Sequence, residues 1–119
     1  MKSLKYKIEQ DHVVVTGCAK DIHRLRIPEK IDGYPVKVIG KNAFCNHECL
    51  KSIVLPRTIE RIEAGAFKNC RNLSRFELPS EKTVFEGMNV FMGARYSMEE
   101  YLKMTECQVI SVEFQDDED

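Results

Sequence analysis

No stretch of the 119-residue chain reaches the roughly 18 consecutive apolar residues that a membrane-crossing helix needs. Met1-Lys2-Ser3-Leu4-Lys5 leads into no apolar export core either. A cytoplasmic location is therefore the expectation for the chain as written, and a surface or secreted one for a longer form carrying an export segment. Neither sign of charge dominates. Eighteen Lys+Arg against 19 Asp+Glu leave a formal net charge of −1, too little to steer the protein toward nucleic acid or an anionic membrane. The six glycines are scattered and form neither G-x-G-x-x-G nor a P-loop, so a backbone cradle for phosphate is not expected. Five cysteines are an odd number without paired C-x-x-C spacing, which points to reduced thiols rather than a disulfide framework. No cofactor is implied.

Apolar residues make up 43% of the chain and charged residues 31%, the balance of a globular protein long enough for one core. Charge is unevenly divided: residues 1–45 hold nine Lys/Arg and five Asp/Glu, and residues 46–119 hold nine and fourteen.

The informative feature is internal repetition. Ile39 returns as Ile62, Ala43-Phe44 as Ala66-Phe67, Asn46 as Asn69, Leu50 as Leu73, Ile53 as Phe76 and Leu55-Pro56 as Leu78-Pro79, each pair separated by 23 residues. A fixed period of this length marks a stacked-repeat solenoid. Ile22, Leu25 and Ile27-Pro28 precede Leu50, Ile53 and Leu55-Pro56 by 28. The first turn thus carries a five-residue insertion over 29–35, where Asp32-Gly33 and Tyr34-Pro35 suggest a protruding loop. Ile53 and Leu55 fall on one side of a short strand, with Ser52 and Val54 on the other. A second extended segment carries Ile59 and Ile62, and Ala-Phe follows in a tight bend or single helical turn. Asn42 and Gly65, equivalent positions that tolerate positive φ, suggest a left-handed residue there. Asn46 and Asn69 suit an amide ladder.

One domain, 1–119, is expected. Residues 1–20 form a β-hairpin cap, with strands flanking Asp11-His12, and 21–92 form two to three coils of stacked parallel strands. Residues 93–114 form a helix-plus-strand cap, and 115–119 an acidic tail. Phe85 lies 23 residues after Ile62, and either Val90 or Phe91 takes the Phe67 place. Ser97-Met98-Glu99-Glu100 is a capping-box start for a helix burying Met98, Tyr101 and Leu102, and Gln108–Phe114 reads as a closing strand.

The unit Ile62-x-x-x-Ala66-Phe67-x-Asn69-Cys70-x-x-Leu73-x-x-Phe76-x-Leu78-Pro79 closely resembles the 23-residue repeat of BspA-like leucine-rich repeat proteins. The run from Ile27-Pro28 through Asp32-Gly33-Tyr34-Pro35 to Ala43-Phe44 is similar to their first repeat, insertion included. The resemblance covers about residues 6 to 91. It implies a leucine-rich-repeat solenoid and a role in protein binding, often at bacterial surfaces. Three departures stand out: His47 where the family usually has Cys, Glu63 where Gly40 has its counterpart, and an eroded third turn.

Two groups of residues are candidates for function. Cys45, His47 and Cys49, with Cys70 one turn on, supply the donor types zinc prefers or a Cys–His nucleophile. The favoured account is that Cys49 and Cys70 are small buried fillers and Cys45 lies on the bend surface, with neither metal nor catalysis expected. His12 and His23 read as polar surface residues. The second group is the outer side of the short strands, whose rows are Arg24–Ser52–Arg75 and Arg26–Val54–Glu77. With Tyr34 of the insertion, these are the expected contacts of a protein-interaction module, with no nucleic acid or membrane as partner. Self-assembly through oppositely charged halves is the alternative.

Overall fold

A computed structural model of the protein describes residues 4–106. The expected strand Gln108–Phe114 and the acidic tail lie outside the described residues.

The chain enters through strands Leu4–Glu9 (β1) and His12–Cys18 (β2), paired antiparallel with an irregularity between Lys5 and Tyr6. Val13, Val14 and Val15 are all buried, so β2 is covered on both faces, while Ile8 on the edge strand β1 is exposed. Seven short strands follow: Arg24–Arg26 (β3), Lys30–Ile31 (β4), Tyr34–Ile39 (β5), Ser52–Val54 (β6), Arg61–Ile62 (β7), Arg75–Glu77 (β8) and Val84–Phe85 (β9). They coil into a solenoid of about three turns with two sheets. One sheet runs β1-β2-β5-β7-β9, with β4 against β5, and the other runs β3-β6-β8.

From β2 onward every pairing is parallel except β4 with β5. The repeat arithmetic is the strand register: Leu25 pairs with Ile53 and Ile53 with Phe76, while Ile39 pairs with Ile62 and Ile62 with Phe85. A slip of one residue would turn these inward-facing side chains, all buried except the half-buried Phe85, outward.

The insertion is a hairpin rather than a loose loop. Asp32 and Gly33 both adopt positive φ, as a type I′ turn requires, and Ile31 pairs with Tyr34 across them. The Tyr6 hydroxyl donates to the Asp32 carboxylate at 3.0 Å, tying the hairpin to β1.

The bends after β5 and β7 are chains of tight turns, and the bend after β9 contains a single 3-10 turn, Met88–Phe91. Ala43, Cys45 and His47 each donate to the carbonyl three residues back, and Ala66, Lys68 and Cys70 repeat the pattern. The intervening amides reach the next coil: Asn42 to Ala64 O, Phe44 to Ala66 O and Asn46 to Lys68 O, at 3.1, 2.7 and 2.8 Å. This up-and-across alternation needs two left-handed residues per bend. Asn42 and Gly65 provide the first, and Asn46, Asn69 and Gly93 the second. Gly65 has a further reason to lack a side chain, since a Cβ there would lie 2.1 Å from Asn42 Oδ1. The amide ladder forms by Asn69 Nδ2 donating to Asn46 Oδ1 at 2.8 Å.

Inside the bends, Phe44, Phe67 and Phe91 stack in a column. Centroid separations are 5.3 and 5.5 Å, with rings within 12° of parallel. Phe91 therefore holds the Phe67 place and Val90 the Ala66 place, with one residue added in the third turn. Phe76 meets Phe67 and Phe91 edge-on. Tyr101 stacks on Phe91 at 4.1 Å and donates its hydroxyl to the Leu73 carbonyl at 2.7 Å. Tyr101 is delivered by helix Met98–Leu102 (α1), whose Ser97–Glu100 capping box is complete. After α1, Leu78 bridges Thr105 and extends the β3-β6-β8 sheet.

Phe67 has aromatic neighbours on both sides and no exposure. Phe67→Ala is expected to destabilise the protein by about 3–5 kcal/mol, and Phe91→Leu by much less, measured by urea denaturation.

Candidate functional site

The Cys45–Cys49 segment belongs to the bend, and its geometry does not support the metal alternative. His47 is buried, and both ring nitrogens face backbone: Nε2 lies 2.9 Å from the Ala19 carbonyl, and Nδ1 lies 3.1 Å from the Leu50 amide. Only the tautomer protonated on Nε2 satisfies both, so Nδ1 accepts from Leu50 and its lone pair is used. Neither nitrogen is left for zinc or for a cysteine proton. The equivalent residue one coil later, Cys70, donates its thiol to the Phe44 carbonyl at 3.0 Å. His47 thus does with a ring what Cys70 does with a thiol: each caps a carbonyl of the preceding coil.

Cys70 is fully buried, whereas Cys45 and Cys49 are partly exposed. Among the described residues, no group of three or more His, Cys, Asp or Glu is arranged to hold a metal ion. Burial pushes the Cys70 thiol up to about 12 and the Cys18 thiol up to about 11. Such thiols are poor nucleophiles at neutral pH. His12 is half-buried, with Nδ1 3.2 Å from Asp11 Oδ1, and His23 is exposed.

The second group is assembled by the β3-β6-β8 sheet. Burial of Leu25, Ile53 and Phe76 turns their strand neighbours outward. The parallel register sets Arg24, Ser52 and Arg75 side by side, and likewise Arg26, Val54 and Glu77. Arg24, Arg26 and Arg75 are exposed, and Ser52, Val54 and Glu77 partly so. Glu77 pairs with the Arg75 guanidinium along the same strand.

Tyr34 is not brought to this face, because the insertion hairpin folds onto β5 in the other sheet. Two residues that strand alternation alone does not single out do join it. Lys51 and Ser74 precede β6 and β8, and with Arg24, Ser52 and Arg75 they line a shallow depression of about 440 Å³. The 23-residue offset between Lys51 and Ser74 was the signal for them. A larger groove of about 690 Å³ lies elsewhere, between Pro35, Lys37, Arg57, Glu60, Glu81 and Lys82, and carries both signs of charge.

The departures from the repeat have local causes. A Cβ at Gly40 would lie 3.1 Å from the Val15 carbonyl and 3.2 Å from Val14 Cγ1, a tight fit against β2 that favours glycine there. At the equivalent position Glu63 instead accepts from the Lys41 amide at 3.1 Å and from Arg61 Nε at 3.0 Å.

Residues 17–114 match the BspA type leucine rich repeat region, a six-copy family model, and the chain belongs to that family. Solved structures agree. A T. pallidum leucine rich repeat protein superposes with a TM-score of 0.62 at 30% identity, over 66% of this chain and 37% of its own. A leucine rich cell surface protein from Faecalibacterium prausnitzii A2-165 gives 0.63 at 28% identity, over 71% and 25%. A leucine-rich repeat protein from Bacteroides ovatus ATCC 8483 gives 0.66 at 18% identity over 79% and 32%, a likeness of fold alone. The chain spans between a quarter and under two-fifths of these proteins' lengths. A comparison with curated proteins finds no match. No helix among the described residues is long and apolar enough to cross a membrane.

Iodoacetamide at pH 8 is expected to alkylate Cys45 and Cys49 in the native protein, and Cys18 and Cys70 only after unfolding, as peptide mass mapping would show. Because burial raises the folded thiol pKa values above that of an unfolded cysteine, the stability they contribute is complete at neutral pH. It is expected to fall as pH rises from about 9 toward 12.

Proposed function

We propose that this chain is a non-catalytic protein-interaction module whose binding surface is the outer face of β3-β6-β8. The observation that carries the reading is the register: three successive coils hold Arg24–Ser52–Arg75 and Arg26–Val54–Glu77 as straight rows. Side chains fixed at strand spacing form a preorganised surface, which lowers the ordering cost of binding. Val54 is the apolar centre of that surface, with Arg26 and Glu77 on either side. A flat array of this kind suits a protein surface or extended segment better than a small molecule. Tyr34, exposed on the insertion hairpin, is a separate contact for a partner that reaches around the coil.

A second reading has its own support. Val84, Met88 and Met92 are 57%, 67% and 55% exposed on β9, the last strand of its sheet path, and in the turns that follow it, apolar surface at that edge. End-to-end association of two copies would cover it, aided by the opposite charge of the two halves.

Val54→Arg is expected to reduce capture of a partner identified by crosslinking at least about tenfold with the fold intact by circular dichroism. Unchanged capture would reject the surface. Sedimentation separates the second reading: if end association occurs, Met88→Lys shifts the protein to monomer.

A further inference from the structure

The depression beside the Arg24–Ser52–Arg75 row differs in chemistry from the rest of the face. Its lining, Arg24, Lys51, Ser52, Ser74 and Arg75, comprises three cations and two hydroxyls and no carboxylate; the Ser74 hydroxyl donates to the Lys51 carbonyl at 3.3 Å, so Ser52 supplies the hydroxyl donor. Its frame is rigid. The Lys51 and Ser52 amides both donate to the His23 carbonyl, at 2.7 and 3.1 Å. The Ser74 and Arg75 amides both donate to the Lys51 carbonyl, at 2.9 and 3.2 Å. Each shared acceptor locks two adjacent columns in register.

Arg24 and Arg75 stand two strand spacings apart, roughly 9.6 Å at the backbone. The small Ser52 lies between them, so the hydroxyl forms a floor and the guanidinium groups form walls. Glu77 engages one edge of Arg75, which orients its plane and leaves other N–H groups free to donate. Arg24 and Lys51 have no ion partner among the described residues. Mutual repulsion of these cations is relieved when an anion enters.

We propose that this depression binds a phosphomonoester presented by a protein segment. The inference rests on the protein-binding reading of the same sheet and names what the partner must carry. The neighbouring column argues against a uniform polyanion. Arg26, Val54 and Glu77 present a cation, an apolar group and an anion, and Glu106 lies beyond them. A sulfated glycan or nucleic-acid strand following the sheet would run its charge onto those carboxylates, whereas a peptide of mixed side chains would not.

The test uses inorganic phosphate and short peptides identical except for a central phosphoserine, a Glu-Glu pair or alanine, titrated into ¹⁵N-labelled protein. Phosphate and the phosphoserine peptide are expected to shift the amides of Ser52, Ser74 and Arg75. The phosphoserine peptide is expected to bind at least about tenfold more tightly than the alanine peptide. In the double variant Arg24→Gln, Lys51→Gln, checked for fold by its amide spectrum, that advantage falls below about twofold. Ser52→Asp, which places a carboxylate on the floor, removes it as well. Equal affinity for the phosphoserine and alanine peptides, binding of the Glu-Glu peptide as tight as that of the phosphoserine peptide, shifts centred elsewhere, or tighter binding of a heparin-derived oligosaccharide would overturn the proposal. If the advantage is absent while Val54→Arg still abolishes partner capture, the oxyanion inference falls and the sheet-surface reading stands. If Val54→Arg is silent too, both fall.

Discussion

Ring-on-ring packing of equivalent residues in successive coils is the contact on which the molecule depends. A single 23-residue coil has no second layer to cover its apolar side. It becomes stable only when Phe44 lies on Phe67, Phe67 on Phe91 and Phe91 on Tyr101. Around this column Leu50 and Leu73, Ile39 and Ile62, and Leu55 and Leu78 are all buried, so one interior is shared by all the coils. Tyr101 ends the column because its hydroxyl satisfies the Leu73 carbonyl while its ring covers Phe91. Neither Phe nor Leu would do both.

The same packing determines what faces outward. With Leu25, Ile53 and Phe76 locked inside, the residues on either side of each are held at strand spacing, and the rows on β3-β6-β8 follow without further design. Groups that look reactive in isolation are consumed by the coil. His47 and Cys70 each close a backbone carbonyl of the coil before, and Thr58 and Thr83 do so at another corner, donating to Val36 and Ile59 carbonyls at 2.6 Å. Charge and shape vary from coil to coil on the sheet surface, which is where the proposed function places binding.

Much of this was legible in the sequence because a repeat turns a long-range relation into a local comparison. Strand register is ordinarily hidden, yet here the offsets of 23 and 28 state it, and the row residues follow from strand alternation. What was not legible depended on geometry that repetition does not encode. The second left-handed position per bend was visible only as two asparagines, since their backbone role shows in φ and not in identity. The extra residue in the third turn left Val90 and Phe91 undecided until ring stacking chose Phe91. The insertion read as a loop because the Tyr6–Asp32 contact that ties it down crosses 26 residues. Nothing in the sequence signals that the insertion folds onto β5 and carries Tyr34 to the other sheet. Lys51 and Ser74 sit just before the strands, where alternation does not apply and only their 23-residue offset marks them.

The shared interior is tested most directly by double-mutant cycles along the aromatic column, using leucine substitutions at Phe44, Phe67 and Phe91 and denaturation free energies. Adjacent pairs, Phe44 with Phe67 and Phe67 with Phe91, are predicted to couple by about 0.5–1.5 kcal/mol, and the separated pair Phe44 with Phe91 by much less. Strict additivity for both adjacent pairs would contradict the account.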